Sequence, residues 1–137
     1  MDFSGVNFLA VIVAAVAAFA IGFPWYSLLF GKAWQKQLGF TDEYLKQGNM
    51  GLIFGSSFLL NVVMALGMAL IFASHLGGQM SWKAGLHYGF FIGVIFVGTS
   101  MGVNYLYQRR SFKLWAIDAG YQIVFLSVMG LILGAWQ

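Results

Sequence analysis

Residues 51–74 read GLIFGSSFLLNVVMALGMALIFAS, twenty-four consecutive positions without an Asp, Glu, Lys or Arg. A helix of about 20 mostly apolar residues crosses the hydrocarbon core of a bilayer, so this stretch is long enough to span. Working outward, the pattern repeats. Phe3–Gly31 is charge-free, the first-quoted run extends from Gln47 to Trp82, and Ala84–Gln108 is charge-free. Leu114–Gln137 carries one charge, Asp118. These runs predict an all-α integral membrane bundle of four transmembrane helices at about residues 6–30, 51–74, 84–107 and 114–136, forming a single domain over 1–137. Strands of a membrane barrel would alternate apolar and polar in segments of about 10 residues, whereas these runs are apolar on every face.

Composition agrees. Hydrophobic residues make up 61% of the chain and charged residues 8%, and the mean hydropathy is +0.82. An average soluble domain is about 25% charged, and seven Lys or Arg with four Asp or Glu could not cover the surface of a small soluble protein. There is no cysteine, which removes disulfides, thiol catalysis and cysteine metal sites. The net charge of +3 does not point to nucleic acid, because the basic residues sit in short clusters beside apolar runs. The start, Met1-Asp2-Phe3-Ser4, lacks the positive charge of a signal n-region, so the first run is expected to persist as a span.

Those clusters set the expected orientation. Lys32, Lys36 and Lys46 lie between the first and second spans, and Arg109, Arg110 and Lys113 between the third and fourth. Alternating spans put both connections on one side, leaving only Lys83 on the other. The positive-inside rule then places both termini outside the cytoplasm of a prokaryotic cell, in its inner membrane. A cysteine at Ser4 should react with an impermeant thiol reagent in intact cells and one at Ser111 should not; the reverse labelling would refute this orientation. The connection after the first span also holds a helix signal. Thr41 is a candidate N-cap, followed by Asp42 and Glu43 where acids suit the helix dipole, and Gly48-Asn49 ends the segment. A short interfacial helix is expected there.

Small residues recur at helical spacing. Ala10, Ala14, Ala18 and Gly22 share a face of the first span, Ser57, Asn61, Ala65, Ala69 and Ala73 one of the second, and Gly85, Gly89 and Gly93 one of the third. The fourth has Ala116 with Gly120, and Gly130 with Gly134. Small residues let backbones approach, and close packing associates helices in lipid. The partners are the bilayer and other helices of this chain, with a second copy or another membrane protein as the alternative.

Two longer motifs carry a resemblance. One is Gly22-Phe23-Pro24-Trp25-Tyr26-Ser27-Leu28-Leu29-Phe30-Gly31-Lys32-Ala33-Trp34, preceded by Asn7-Phe8-Leu9-Ala10-Val11; the other is Leu114-Trp115-Ala116-Ile117-Asp118-Ala119-Gly120-Tyr121-Gln122 with Met129-Gly130-Leu131-Ile132-Leu133-Gly134-Ala135-Trp136. Together they make the chain resemble the domain-of-unknown-function 1761 family of small prokaryotic four-span membrane proteins. The resemblance covers nearly the whole chain and implies no activity. It implies that Asn is accepted at the position of Asp118, hence a polar rather than necessarily charged role.

Ionisable groups inside spans are functional candidates by default, and Asp118 is the one here. Gln122 lies one turn on and Tyr121 flanks the same face. A carboxylate paired with Arg109, Arg110 or Lys113 in the first turn of span four is one expectation; a cation or proton site is the other. Asn61 and Asn104 are expected to hydrogen-bond across helices or to line a polar path. Pro24 should bend the first span. His75 and His87, flanking the second connection, make a thin metal site with no Cys or nearby carboxylate, so no metal or cofactor is expected. With no Gly-x-Ser-x-Gly elbow, phosphate loop or zincin motif, no enzyme is expected either. Two functions remain: a small homo-oligomeric transporter or channel for a small solute or ion, and a non-catalytic accessory or scaffold subunit.

Overall fold

A computed structural model describes residues 2–75 and 80–136, the side chain of His75 excepted. Among the described residues it is all helix and turn, and four helices are long and apolar enough to cross a membrane: Phe8–Leu29, Met50–Ser74, Trp82–Tyr107 and Phe112–Ala135. The first span is α1 (Phe8–Pro24) continued by a π-helical turn, Trp25–Leu29. Two short helices follow, α2 (Gly31–Leu38) and α3 (Asp42–Lys46). The second span is α4 (Met50–His75). The third is α5 (Trp82–Ile92), a π-helical segment Gly93–Gly98 and α6 (Thr99–Tyr107); the fourth is α7 (Phe112–Ala135).

Polar caps fix where the helices begin. Asn7, Ser81 and Ser111 accept the backbone N–H groups of Ala10, Ala84 and Leu114 at 3.1 Å each. The serine caps explain why the third and fourth spans start at Trp82 and Phe112, two residues before the apolar runs: a capped first turn tolerates Lys83 and Lys113. Thr41 caps α3 as its sequence indicated, accepting from Tyr44 N–H at 3.1 Å. Helix α2 was not expected. It ends at Gly39 in the left-handed region (φ 73°), with Phe40 N–H bonded to the Gln35 carbonyl at 3.1 Å and Gly39 N–H to Lys36 at 3.2 Å, a Schellman termination.

The fourth span is the hub, touching the first, second and third; the first also packs on the second. The half of the bundle away from the basic connections is built around an apolar core. Ala10, Ala14 and Ala18 have no exposed surface, and they pack with Ala65, Met68 and Phe72 of α4 and Phe125, Leu126, Met129 and Leu133 of α7. At that end Asn7 Nδ2 donates to the Trp136 carbonyl at 3.4 Å.

The outer half of the third span joins the fourth through its glycine ladder. A Cβ on Gly85 would lie 2.0 Å from the Gly130 carbonyl oxygen, one on Gly89 2.1 Å from that of Leu126, and one on Gly93 2.9 Å from Cα of Ile123. The two backbones therefore meet with no side chain between them, the close approach that gives van der Waals contact in lipid. The span one and span three ladders are thus filled inside the chain.

Candidate functional site

The other half of the bundle, toward the basic connections, is built around Asp118. Because α7 begins at Phe112, Asp118 lies about 9 Å along its axis, beyond the first turn where the helix dipole acts. Its side chain is half-buried. Oδ1 accepts a hydrogen bond from the Tyr26 hydroxyl at 2.6 Å, and Oδ2 one from the Tyr105 hydroxyl at 2.5 Å. In both bonds the phenol donates and a carboxyl oxygen accepts. One carboxylate thereby ties together the first, third and fourth spans.

This corrects the ion-pair expectation. Among the described residues Asp118 makes no ion pair with Arg109, Arg110 or Lys113. All three cations are exposed at the helix ends, where long basic side chains keep their charge in water. Hydroxyls from neighbouring helices satisfy the acid without the cost of burying a second charge.

Tyr26 arrives there through the proline. Pro24 has no N–H to give the preceding turn, and the helix widens after it. Phe30 N–H reaches back five residues to the Trp25 carbonyl at 2.9 Å. The widened turn sets Trp25 and Tyr26 against α7. Trp25 Nε1 donates to the Ile117 carbonyl at 3.0 Å, beside Asp118, and Gly120 leaves room for the indole, since a Cβ there would sit 3.1 Å from it. The Tyr26 ring meets Tyr121 edge-on at 5.3 Å and Trp34 of α2 at 5.7 Å. Tyr121 donates its hydroxyl to the Ala18 carbonyl at 2.8 Å. On the third span, Trp115 Nε1 donates to the Gly98 carbonyl at 2.9 Å, at the end of the second π-helical segment. Both interruptions of the α-helical ladder thus flank one carboxylate, and such interruptions recur at functional sites. Helix α2 is held over this end by Ser111, whose hydroxyl donates to Gln37 Oε1 at 2.5 Å.

The other expected residues are placed differently. Gln122 is half-buried, and its side chain makes no hydrogen bond among the described residues. Asn61 is buried, 7% exposed, on the face of α4 that also carries Ala65 and Ala69; Asn104 is exposed. Neither bonds to Asp118. His87 Nδ1 pairs with the Lys83 carbonyl at 2.7 Å, while the side chain of His75 lies outside the described residues. Among the described residues no group of three or more His, Cys, Asp or Glu could hold a metal ion.

Tyr26 and Tyr105 were missed from the sequence. For Tyr105 a signal existed: in an antiparallel hairpin turning near Ser111-Phe112, positions 105 and 118 are equidistant from the turn and face each other. For Tyr26 the signal was weaker, a proline followed by two aromatics.

The family model described as a protein of unknown function (DUF1761) matches residues 9–134, and both π-helical segments and the whole Asp118 cluster fall inside that match. The chain belongs to the DUF1761 family. No curated protein and no solved structure matches it. DUF1761 membership brings no activity with it, and the chemistry has to be read from Asp118 and its partners.

Proposed function

We propose that this DUF1761 protein is a small membrane transporter or channel for a proton or a small cation, non-catalytic, with its basic end in the cytoplasm. The observation that carries the reading is Asp118, a carboxylate within a span that no cation among the described residues pairs with and that two tyrosine hydroxyls from different helices hold. Ionisable groups at such positions belong to ion and proton pathways. Tyrosine oxygens keep acceptor capacity while donating, so the carboxylate and both hydroxyls together offer several oxygens to a cation. Tyr26 lies in a π-helical turn, where a return to regular helix would rotate its hydroxyl off Asp118. An assembly of copies would use the exposed faces of the second and third spans, where Leu59, Leu60, Val63, Phe90, Phe91 and Phe96 lie uncovered, since the glycine ladder is occupied within the chain.

A second reading, an accessory or scaffold subunit, is favoured by one observation: both carboxylate oxygens are already satisfied by protein donors, as in a purely structural clamp. Flux separates the two. Liposomes holding the protein and a pH-sensitive dye should dissipate an imposed proton or monovalent-cation gradient faster than empty liposomes, and Asp118→Asn should return the rate to that of empty liposomes while remaining folded. If the parent protein is indistinguishable from empty liposomes for every such gradient, the transport reading fails and the subunit reading stands.

A further inference from the structure

We infer that the cleft between the third and fourth spans at the basic end binds the phosphate headgroup of an anionic phospholipid. The inference depends on the four spans crossing a membrane and is independent of any transport by Asp118. The cleft has a volume of about 260 Å³ and is lined by Gly102, Tyr105 and Leu106 on one side and Arg110, Phe112 and Trp115 on the other. It faces away from the bundle, since Leu106 and Phe112 are each 78% exposed. Its composition is divided. Leu106 and the tilted Phe112–Trp115 ring pair, 5.4 Å between centroids, make an apolar wall, and Arg110 with Ser111 makes the polar rim. A free phosphate would have no use for the wall, whereas a phospholipid supplies an anion for the rim and acyl carbons for the rest.

The rim is held in place by the backbone. Arg110 N–H bonds the Tyr105 carbonyl at 2.9 Å and Arg109 N–H the Leu106 carbonyl at 3.1 Å, a Schellman termination of α6 with Arg109 in the left-handed region, φ 57°, where glycine is usual. Arg110 therefore stands at the mouth of the cleft. It has no acid to neutralise it among the described residues: Asp118 is taken by the two tyrosines, Asp42 by Gln35 Nε2 at 2.9 Å, and Asp2 by Ser4. Glu43 lies on α3, and no ion pair joins it to Arg110. Basic pockets between membrane helices recognise phospholipid headgroups in this way, and a guanidinium matches phosphate in a bidentate manner.

The test uses the full chain in mild detergent, titrated with phosphatidylglycerol and with phosphatidylcholine of the same acyl chains and followed by native mass spectrometry. Phosphatidylglycerol should bind the parent preferentially. Arg110→Gln should weaken that binding about fivefold or more, the equivalent of one basic residue at a charged lipid surface. Arg110→Lys should restore part of it, and Lys46→Gln, on the same side of the protein, should leave it intact. Added salt should weaken binding to the parent more than to Arg110→Gln. Equal binding of the two lipids, or an unchanged affinity in Arg110→Gln, would overturn the assignment. Displacement of the lipid by inorganic phosphate at equal concentration would also overturn it, by showing that a free anion suffices.

Discussion

Replacing Gly89 by leucine is expected to separate the third span from the fourth. A Cβ at this position would come within 2.1 Å of the Leu126 carbonyl oxygen and 3.0 Å of Cα of Ser127. These are backbone atoms of a helix, so no side chain can turn aside to make room. The third span is held mainly by α7, with the Tyr88–Phe72 ring contact to α4 as a lesser support. Small-to-large changes in a close-packed interface cost about 1–3 kcal/mol and occasionally more, and a clash with rigid backbone belongs at the upper end. We expect loss of about 3 kcal/mol or more of stability in detergent, or failure to accumulate as a folded protein. Moving the third span would also carry Tyr105 off Asp118. Gly89→Leu with the thermal midpoint of the parent would mean that the ladder does not face α7.

The second large effect is expected at Asp118, and its sign depends on the replacement. Leucine leaves two tyrosine hydroxyls from different helices without their acceptor. Interhelical hydrogen bonds in membranes are worth about 0.6–2 kcal/mol each, so Asp118→Leu should lose about 2 kcal/mol or more. Asparagine can accept from one tyrosine through Oδ1 and donate through Nδ2 to the other, because a tyrosine oxygen accepts as well as donates. Asp118→Asn should stay within about 1 kcal/mol of the parent. Chemical unfolding of the three proteins in the same detergent checks the order parent, Asn, Leu. Asparagine as damaging as leucine would show that the negative charge, and not the pair of hydrogen bonds, holds the cluster.

How much of this could be read from residues alone varies with the range of the interaction. The spans were legible because hydropathy is a property of each run by itself, and Thr41 was legible as a cap because its partner is three residues away. The ladders showed which faces are thin but not what lies against them. Gly85 meets Gly130 through backbone atoms, and no side-chain pattern announces that. Asp118 stood out as the one charge in a span, yet its partners were misassigned to the nearest cations in sequence. Tyr26 is 92 positions away, and it reaches Asp118 only because the helix widens after Pro24. The expected bend became a change of helical pitch, which re-aims side chains. Helix α2 was overlooked because Gly31–Leu38 is short and carries Lys32, Gln35, Lys36 and Gln37 among its apolar residues. Its docking depends on Trp34 meeting Tyr26 and on the Gln37–Ser111 bond, contacts that no local pattern encodes.

The clamp itself is tested most directly by a double-mutant cycle between Asp118 and its two tyrosines. Tyr26→Phe and Tyr105→Phe remove one hydroxyl each and keep the rings, including the edge-on contact of Tyr26 with Tyr121. In the parent, each should cost about 0.6–2 kcal/mol. In the Asp118→Leu background each hydroxyl has already lost its acceptor, so its removal should cost nothing or stabilise slightly. The predicted result is a coupling of about 1 kcal/mol for each tyrosine, read from unfolding midpoints of the single and double variants. Tyrosine-to-phenylalanine costs that are the same in both backgrounds would contradict a carboxylate held between Tyr26 and Tyr105.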